Sequence, residues 1–518
     1  MRPTILSFSF ILLLSILSPR SAAAQQEQDL TRAMSLLDET IARCFTGSTM
    51  RMYDLYDTAT HQGSGTADVW PYTAAIEATC SVLEALDILR DKCPEQYADG
   101  HDRYVTLLRR LFDNLAYYRG SYQLNSYAYR ARWSIYGVHR ANGKGGATVT
   151  GIENVYDDQM WLARELVRAY RLTADADYLR EATMLTDYVL DGWDCCLDAQ
   201  GNEYGGISWG PGYNSKHSCS NAPIIQPLVW LHDIYSEEGR ADTYVRHFID
   251  REGNRTEETL DRADAYLTFA RKIYAWQKEH LLNPSTGVYY DMLGADNTIR
   301  YDTVVSGRAK LVYRRHVDTG KPGGTAFTYN TGTMLAGTVE LYRATGQEAY
   351  AADIRPLCVK SLTAFTKWRR LDGNRYREFP LDAKATSGFN CWFNDVLMRA
   401  YVDAYAYEPT NAATALDAFQ FNLDYAWDHY LADGFLPIDL LGGWNDDSVT
   451  KGFHQLAFAS EYALLAVWKE RQSQAAAVEP PFVDSAAPEP LYTLGGQRIP
   501  NAPTTGIYLQ GPRKILVK

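Results

Sequence analysis

Two adjacent carboxylates open a strongly patterned segment, Glu153-Asn154-Val155-Tyr156-Asp157-Asp158-Gln159-Met160-Trp161. Over residues 158–171, Trp161, Leu162, Leu166, Ala169 and Tyr170 recur at spacings of three and four, with Arg164, Glu165 and Arg168 between them. That pattern predicts a helix with both aspartates in its first turn. Hydrolysis of a glycosidic bond needs two carboxyl groups. With retention of configuration, one attacks the sugar while the other serves as acid and then as base, at a separation of about 5–5.5 Å. A helix N-terminus also divides the two roles. The carboxylate nearer the free N–H groups is held ionised by hydrogen bonds and the dipole. Its neighbour, beside a like charge and partly desolvated, is pushed toward the protonated form. Asp is equally a favoured helix cap, and Asn445-Asp446-Asp447 precedes another helical pattern. Spacing therefore leaves both a catalytic pair and a pair of caps open.

Other chemistries find little support. None of the ten histidines falls in an H-E-x-x-H pattern. No G-x-S-x-G elbow and no Walker-type glycine loop occurs. The eight cysteines include the neighbours Cys195-Cys196 but no paired metal-ligand spacing, so buried free thiols are expected. His217 and His454 are weaker candidates for substrate contact than for satisfied structural roles. A net charge of −12 without a basic run of five residues argues against a nucleic-acid or anionic-membrane surface. The aromatic surplus, 37 Tyr and 12 Trp in 518 residues, suits either aromatic-rich helix packing or rings that stack on sugars.

The elements that must position these residues are helical. About twelve segments begin near residues 29, 70, 100, 156, 175, 221, 257, 328, 347, 390, 411 and 451. Short turns alternate with long excursions at 119–155, 191–220, 283–327 and 432–450, which carry Gly205-Gly206, Gly323-Gly324 and Gly442-Gly443. Twelve helices in antiparallel pairs with elaborate loops at one end describe an all-α (α/α)6 toroid. A solenoid would show a repeat of 34 to 47 residues, and none is visible. Residues 1–24 read as a signal peptide: Arg2, an apolar stretch from Ile5 to Leu17, and a small-residue cleavage site at Ser21-Ala22-Ala23-Ala24. The catalytic-type domain is expected over 25–471, an Ala/Pro-rich linker over 472–489, and a short β-rich tail over 490–518. The tail resembles those of secreted proteins from polysaccharide-degrading bacteria, some of which are sorting signals. An exported protein, periplasmic or at the cell surface, monomeric and without stable membrane insertion, is the expectation.

Four segments in order resemble glycoside hydrolase family 76. Tyr156-Asp157-Asp158-Gln159-Met160-Trp161-Leu162-Ala163 is similar to its D-D-x-x-W-W-A-L-A signature. Gly205-Gly206-Ile207-Ser208-Trp209 is similar to G-G-I-W-W, and Lys216-His217-Ser218-Cys219-Ser220-Asn221 to K-N-A-I-S-N. Tyr329-Asn330-Thr331-Gly332, with Val339-Glu340-Leu341-Tyr342-Arg343-Ala344-Thr345-Gly346 after it, is similar to Y-N-Q-G and V-E-L-Y-x-A-T-G-D. The resemblance covers roughly residues 29–470. It implies an (α/α)6 fold and endo-acting, retaining cleavage of α-1,6-linked mannose with no metal or organic cofactor. Asp157 matches the nucleophile and Asp158 the acid/base.

Substrate contacts are then expected from Trp161, Trp209, Asn221, Tyr329 and Asn330. Lys216 is divided between a sugar hydroxyl and surface charge. Trp70 is divided between the bottom of the cavity and, as the favoured reading, the core, and Trp444-Asn445 is a possible sugar platform. Met160, Ser208, Pro223 and Thr331 depart from the family pattern and are expected to alter subsite walls. The alternatives are a transglycosidase of the same fold, a non-catalytic mannan-binding protein, and an enzyme acting on uronic-acid sugars. The last would need converging Arg and Lys, in which the matching loops are poor.

Overall fold

Helices that are apolar on every face must be enclosed by protein, whereas those with one apolar face belong outside. The twelve helices found among the described residues divide in this way. They are α1 (Pro19–Cys44), α2 (Val69–Ile88), α3 (Pro94–Leu115), α4 (Tyr156–Thr173), α5 (Ala176–Asp191), α6 (Ile225–Ser236), α7 (Arg262–Leu281), α8 (Thr328–Thr345), α9 (Glu348–Phe365), α10 (Asn390–Ala404), α11 (Pro409–Tyr430) and α12 (Gly452–Ala477). The structure, a computed structural model, describes residues 19–294, 298–306, 308–384, 386–445, 447–477, 491–492, 498–499, 506–510 and 513–517. The stretch 1–18, most of the expected leader, lies outside those residues.

The even-numbered helices are enclosed. In α4 every residue from Asp158 to Tyr170 is buried, and in α8 every residue from Thr328 to Val339. They pack in sequence as α2–α4–α6–α8–α10. The ring closes through α12, whose Ser460 Oγ meets Ser81 of α2 at 2.9 Å and Arg399 of α10 at 3.2 Å. Each odd-numbered helix from α3 to α11 lies against the even-numbered helix that precedes it. Arg32 of α1 reaches Asp424 of α11 at 2.5 Å, completing the outer ring. This is an (α/α)6 barrel.

The barrel interior is polar. Arg399 donates to Glu77 and Ser81, Arg164 stands 3.5 Å from Glu77, and Arg168 pairs with Glu165 at 2.7 Å. Trp392 Nε1 donates to Glu77 at 2.7 Å, tying this network to an aromatic layer above it. Buried charges persist only when paired and hydrogen-bonded, so the network fixes how the inner helices meet.

The helix starts differ from expectation chiefly at α1, which begins at Pro19 and not near residue 29, and at α3, which begins at Pro94 and not near residue 100. Proline is well placed in a first turn. Gly100, which looks like a break, lies inside the helix where a Cβ would be 2.9 Å from Met34. The long excursions contain β structure: hairpins Arg119–Asn125/Arg130–Tyr136 and Tyr301–Ser306/Ala309–Arg314, and three-stranded sheets joining 216–217, 292–293 and 322–323 and joining 55–57, 62–64 and 449–450. Two further hairpins, Thr243–Ile249/Arg255–Asp261 and Lys367–Leu371/Asn374–Glu378, stand where no long excursion was expected. All eight cysteines are free, and all but Cys196 are buried.

Contacts divide the chain into Met1–Lys469 and Glu470–Lys518. Within the second unit α12 continues through Ala477, so residues 472–477, expected to begin a linker, are helical. Their Gln and Ala content favours that state. Four antiparallel strands follow in the order Arg498–Ile499, Leu491–Tyr492, Gly506–Gln510, Arg513–Val517.

Candidate active site

The start of α4 is held by two loops. Tyr156 N–H donates to the Trp209 carbonyl at 2.8 Å. The Gln159 amide brackets Tyr136, donating to its carbonyl at 2.7 Å and accepting from its N–H at 3.1 Å. The 205–221 loop must come very near: a Cβ on Gly210 would lie 2.2 Å from the Asn154 carbonyl, and one on Gly206, at φ +72°, would strike the Trp276 ring. Only glycine permits both.

Asp157 and Asp158 thereby face a cavity of about 880 Å³ at one end of the barrel. Asp157 accepts from Trp209 Nε1 at 3.2 Å and from the Asp158 backbone N–H at 3.0 Å. Burial raises its pKa to about 6, with these donors and the Cys219 thiol acting against the rise. Burial pushes Asp158 well above the usual carboxylate range, and the neighbouring charges of Asp157 and Asp68 add to it. The pair thus shares protons unequally: Asp157 ionises first and Asp158 retains its proton. His217, whose pKa burial lowers to about 4, is neutral beside them.

Of the expected contacts, Trp161, Trp209 and Tyr329 line the cavity. Tyr329 Oη donates to Asp291 at 3.2 Å. Asn221 does not line it; fully buried, it accepts from the Ile207 N–H and donates to the Ile207 and His217 carbonyls, so it splints the loop carrying Trp209. Asn330 is also fully buried and off the cavity. Lys216 requires correction. It is only 3% exposed, with Nζ on Asp194 at 2.9 Å and on the Gly205 carbonyl at 2.5 Å, an internal clamp and not a sugar contact. The reason lies in Asp194, a buried partner that the motif does not reveal.

Met160, Ser208, Pro223 and Thr331 are buried and none borders the cavity. They stand behind the walls they were expected to alter. Trp444 likewise stays off the cavity, with its Nε1 on the Tyr430 carbonyl at 2.7 Å. Asp447 caps a turn through the Val449 N–H at 2.9 Å, while Asp446 lies outside the described residues.

Trp70, expected in the core, instead anchors an aromatic wall. Its ring meets Phe389 at 4.6 Å, Phe453 at 5.1 Å and Trp392 at 5.2 Å between centroids. Phe327 and Phe393 continue that wall to Tyr329. Asp68, His139 and Glu153 line the same cavity, with His139 Nδ1 2.7 Å from Asp68. No sequence motif marks these residues, and Phe389, Phe393 and Phe453 merely open helical patterns. Such a wall, with a few polar groups around a carboxyl pair, suits a ligand with apolar faces and a hydroxylated rim.

Residues 258–435 match the family model described as glycosyl hydrolase family 76. No curated protein matches the sequence. Among solved structures, a family 76 mannosidase of Bacteroides thetaiotaomicron VPI-5482 is similar with a TM-score of 0.62 at 19% identity, over 86% of this chain and 100% of that one. The GH76A α-1,6-mannanase of Salegentibacter sp. HEL1_6 is similar with a TM-score of 0.54 at 18% identity, over 85% of this chain and 99% of that one. An inactive variant of the latter, with two aspartates replaced by asparagine, is known in complex with α-1,6-mannotriose. Among the described residues of this chain, no helix is long and apolar enough to cross a membrane. The match to the glycosyl hydrolase family 76 model thus lies on residues 258–435, and the (α/α)6 fold is shared with solved structures of that family along most of the chain.

Proposed function

We propose that this glycoside hydrolase cleaves α-1,6-mannosidic linkages in mannan backbones with retention of configuration, as an exported monomer. The observation that carries the reading is the unequal pair at the start of α4. Asp157, the group that ionises first, attacks the anomeric carbon. Asp158, still protonated, gives its proton to the departing glycosidic oxygen. Asp158 is then a carboxylate able to take a proton from water, which attacks the glycosyl–Asp157 ester and releases the sugar. Trp209 keeps Asp157 ionised and aimed. The wall formed by Trp70, Phe389 and Tyr329 offers faces for mannose rings. The acidic rim and the mannooligosaccharide complex of the Salegentibacter relative favour a neutral sugar over a uronic acid. Export rests on the leader-like residues 1–24, and the tail from residue 490 would serve sorting.

The test is digestion of debranched and intact yeast-type mannan, followed by new reducing ends. Wild type should fragment the debranched polymer, and Asp158→Asn should lose roughly 10²–10⁴-fold in kcat. Asp157→Asn should be at least as impaired. Saturable mannan binding without new reducing ends would refute the hydrolase reading, as would wild-type rates in both variants. Mannosyl transfer to an added acceptor in preference to water would replace it with transglycosylation.

A further inference from the structure

Outside the carboxyl pair, the wall of the cavity holds a cluster of different chemistry. Asp382 lies on the loop before α10, Cys391 is the second residue of α10, and His454 is the third residue of α12. One ligand atom from each lies within 4.8 Å of both others. His454 is completely buried, and neither ring nitrogen has a hydrogen-bond partner. The Gly388 backbone approaches the ring without reaching hydrogen-bond geometry. A buried imidazole with two orphaned nitrogens is costly and calls for a partner. Cys391 is likewise buried, at 3% exposure.

The geometry points to a binding site for one zinc-class divalent cation, held by Asp382, Cys391 and His454 at the edge of the substrate cavity. Thiolate, imidazole and carboxylate together form the donor set of a borderline-soft ion, unlike the all-oxygen sets of magnesium or calcium. Tetrahedral coordination at about 2.0–2.3 Å sets ligand atoms roughly 3.3–3.7 Å apart, so closure asks any two of them to approach by about 1.5 Å at most. Binding displaces the Cys391 thiol proton to solvent, after which thiolate and carboxylate balance the ion's charge. Asp382 already accepts from the Asn390 N–H and Nδ2, both at 2.9 Å, which orients its carboxylate as second-shell contacts orient metal ligands elsewhere.

Of the three, Asp382 borders the cavity, so an ion is reached from that side and a fourth position opens there to water. Lys451, whose charge acts on both Asp382 and His454, also stands 3.5 Å from Asp54. The ion takes no part in bond cleavage. It ties the 379–389 loop, which brings Phe389 to the cavity, to the first turns of α10 and α12.

The full chain, dialysed against a chelator, is titrated with Zn²⁺ alone and, separately, with Mg²⁺. One equivalent of Zn²⁺ should bind and raise Tm, whereas Mg²⁺ should do neither. Co²⁺ in its place should give a thiolate-to-metal charge-transfer band. Asp382→Asn, isosteric and on the cavity wall, and Cys391→Ser should each weaken Zn²⁺ binding at least tenfold. Cys391→Ser should also abolish the Co²⁺ band. The site is refuted if wild type takes up no Zn²⁺ saturably, if the Co²⁺ complex lacks the band, or if neither substitution changes affinity. None of these readouts depends on mannanase turnover, so the site and the proposed activity stand or fall separately.

Discussion

Trp209→Phe isolates a single hydrogen bond at Asp157, the proposed nucleophile. Phenylalanine keeps an aromatic ring against Tyr213 and His217, whose centroids lie 4.6 and 4.9 Å from the indole. It removes the Nε1 donor 3.2 Å from Asp157. A hydrogen bond to a charged group contributes about 1.5–3 kcal/mol. This one is long and its indole only half-buried, so about 1.4 kcal/mol is the appropriate figure, equivalent to one pKa unit. The lost donor stabilised the ionised form, so Asp157 should rise from about 6 to about 7. As the nucleophile must be ionised, the acid limb of the kcat/KM profile against an α-1,6-mannooligosaccharide should move up by about one unit. Activity should fall about tenfold near pH 5 and change little near pH 8, since Asp158 still sets the basic limb. An unchanged acid limb, with equal loss at every pH, would mean that Trp209 acts only as a platform and that Asp157 is not the group titrating there.

Asp157→Asn should stabilise the protein against heat at pH 8. The folded pKa lies above the unfolded value, so the native state binds more protons between about pH 4 and 6 and stability falls as pH rises through that window. The full shift would correspond to about 3 kcal/mol, and the carboxyl's partial exposure to the cavity reduces the expected gain to about 1–2 kcal/mol. The Tm difference should vanish near pH 4, and its persistence there would contradict the assignment. Lys216→Met should cost about 3 kcal/mol in urea unfolding, the lower end for a broken buried pair, because His316 remains 2.7 Å from Asp194. A loss below about 1 kcal/mol would show that the clamp is dispensable. Trp70→Ala should raise KM several-fold for oligosaccharides with little change in kcat, reflecting lost stacking of roughly 1 kcal/mol. An unchanged KM would remove Trp70 from the substrate wall.

Helical periodicity revealed the barrel because an inner helix must satisfy packing on every face, which α4 and α8 do over more than three turns. What stayed hidden was non-local or short. The hairpin at 243–261 alternates Tyr244, Arg246 and Phe248 with other residues, too brief a run to outweigh the helix signal that follows at Arg262. Trp70 is ambiguous for a different reason. A ring at the start of an enclosed helix can point to the core or to the barrel mouth, and only the position of Phe389 and Phe453 decides between them. The Asp382–Cys391–His454 cluster draws on three separated segments and has no spacing to read.

The family motifs themselves prove to be mostly scaffolding. Lys216 grips Asp194 and the Gly205 carbonyl, and Asn221 grips Ile207 and His217. Ser208 bonds to the Gly210 carbonyl at 3.0 Å, and Gly210 itself rests against Asn154. All of these contacts converge on one loop, and that loop delivers the Trp209 indole to Asp157 and the Trp209 carbonyl to the first turn of α4. Residues off the cavity therefore have strict requirements, because a shift of a few tenths of an ångström in the loop would alter the 3.2 Å hydrogen bond at Asp157. The aromatic wall is under no such geometric demand: rings of similar size can exchange places and still present a face to a sugar. The motif positions thus include those where the fold constrains the carboxyl pair and three rings of the cavity wall, Trp161, Trp209 and Tyr329, while Trp70, Phe389, Phe393 and Phe453 on the same cavity carry no motif.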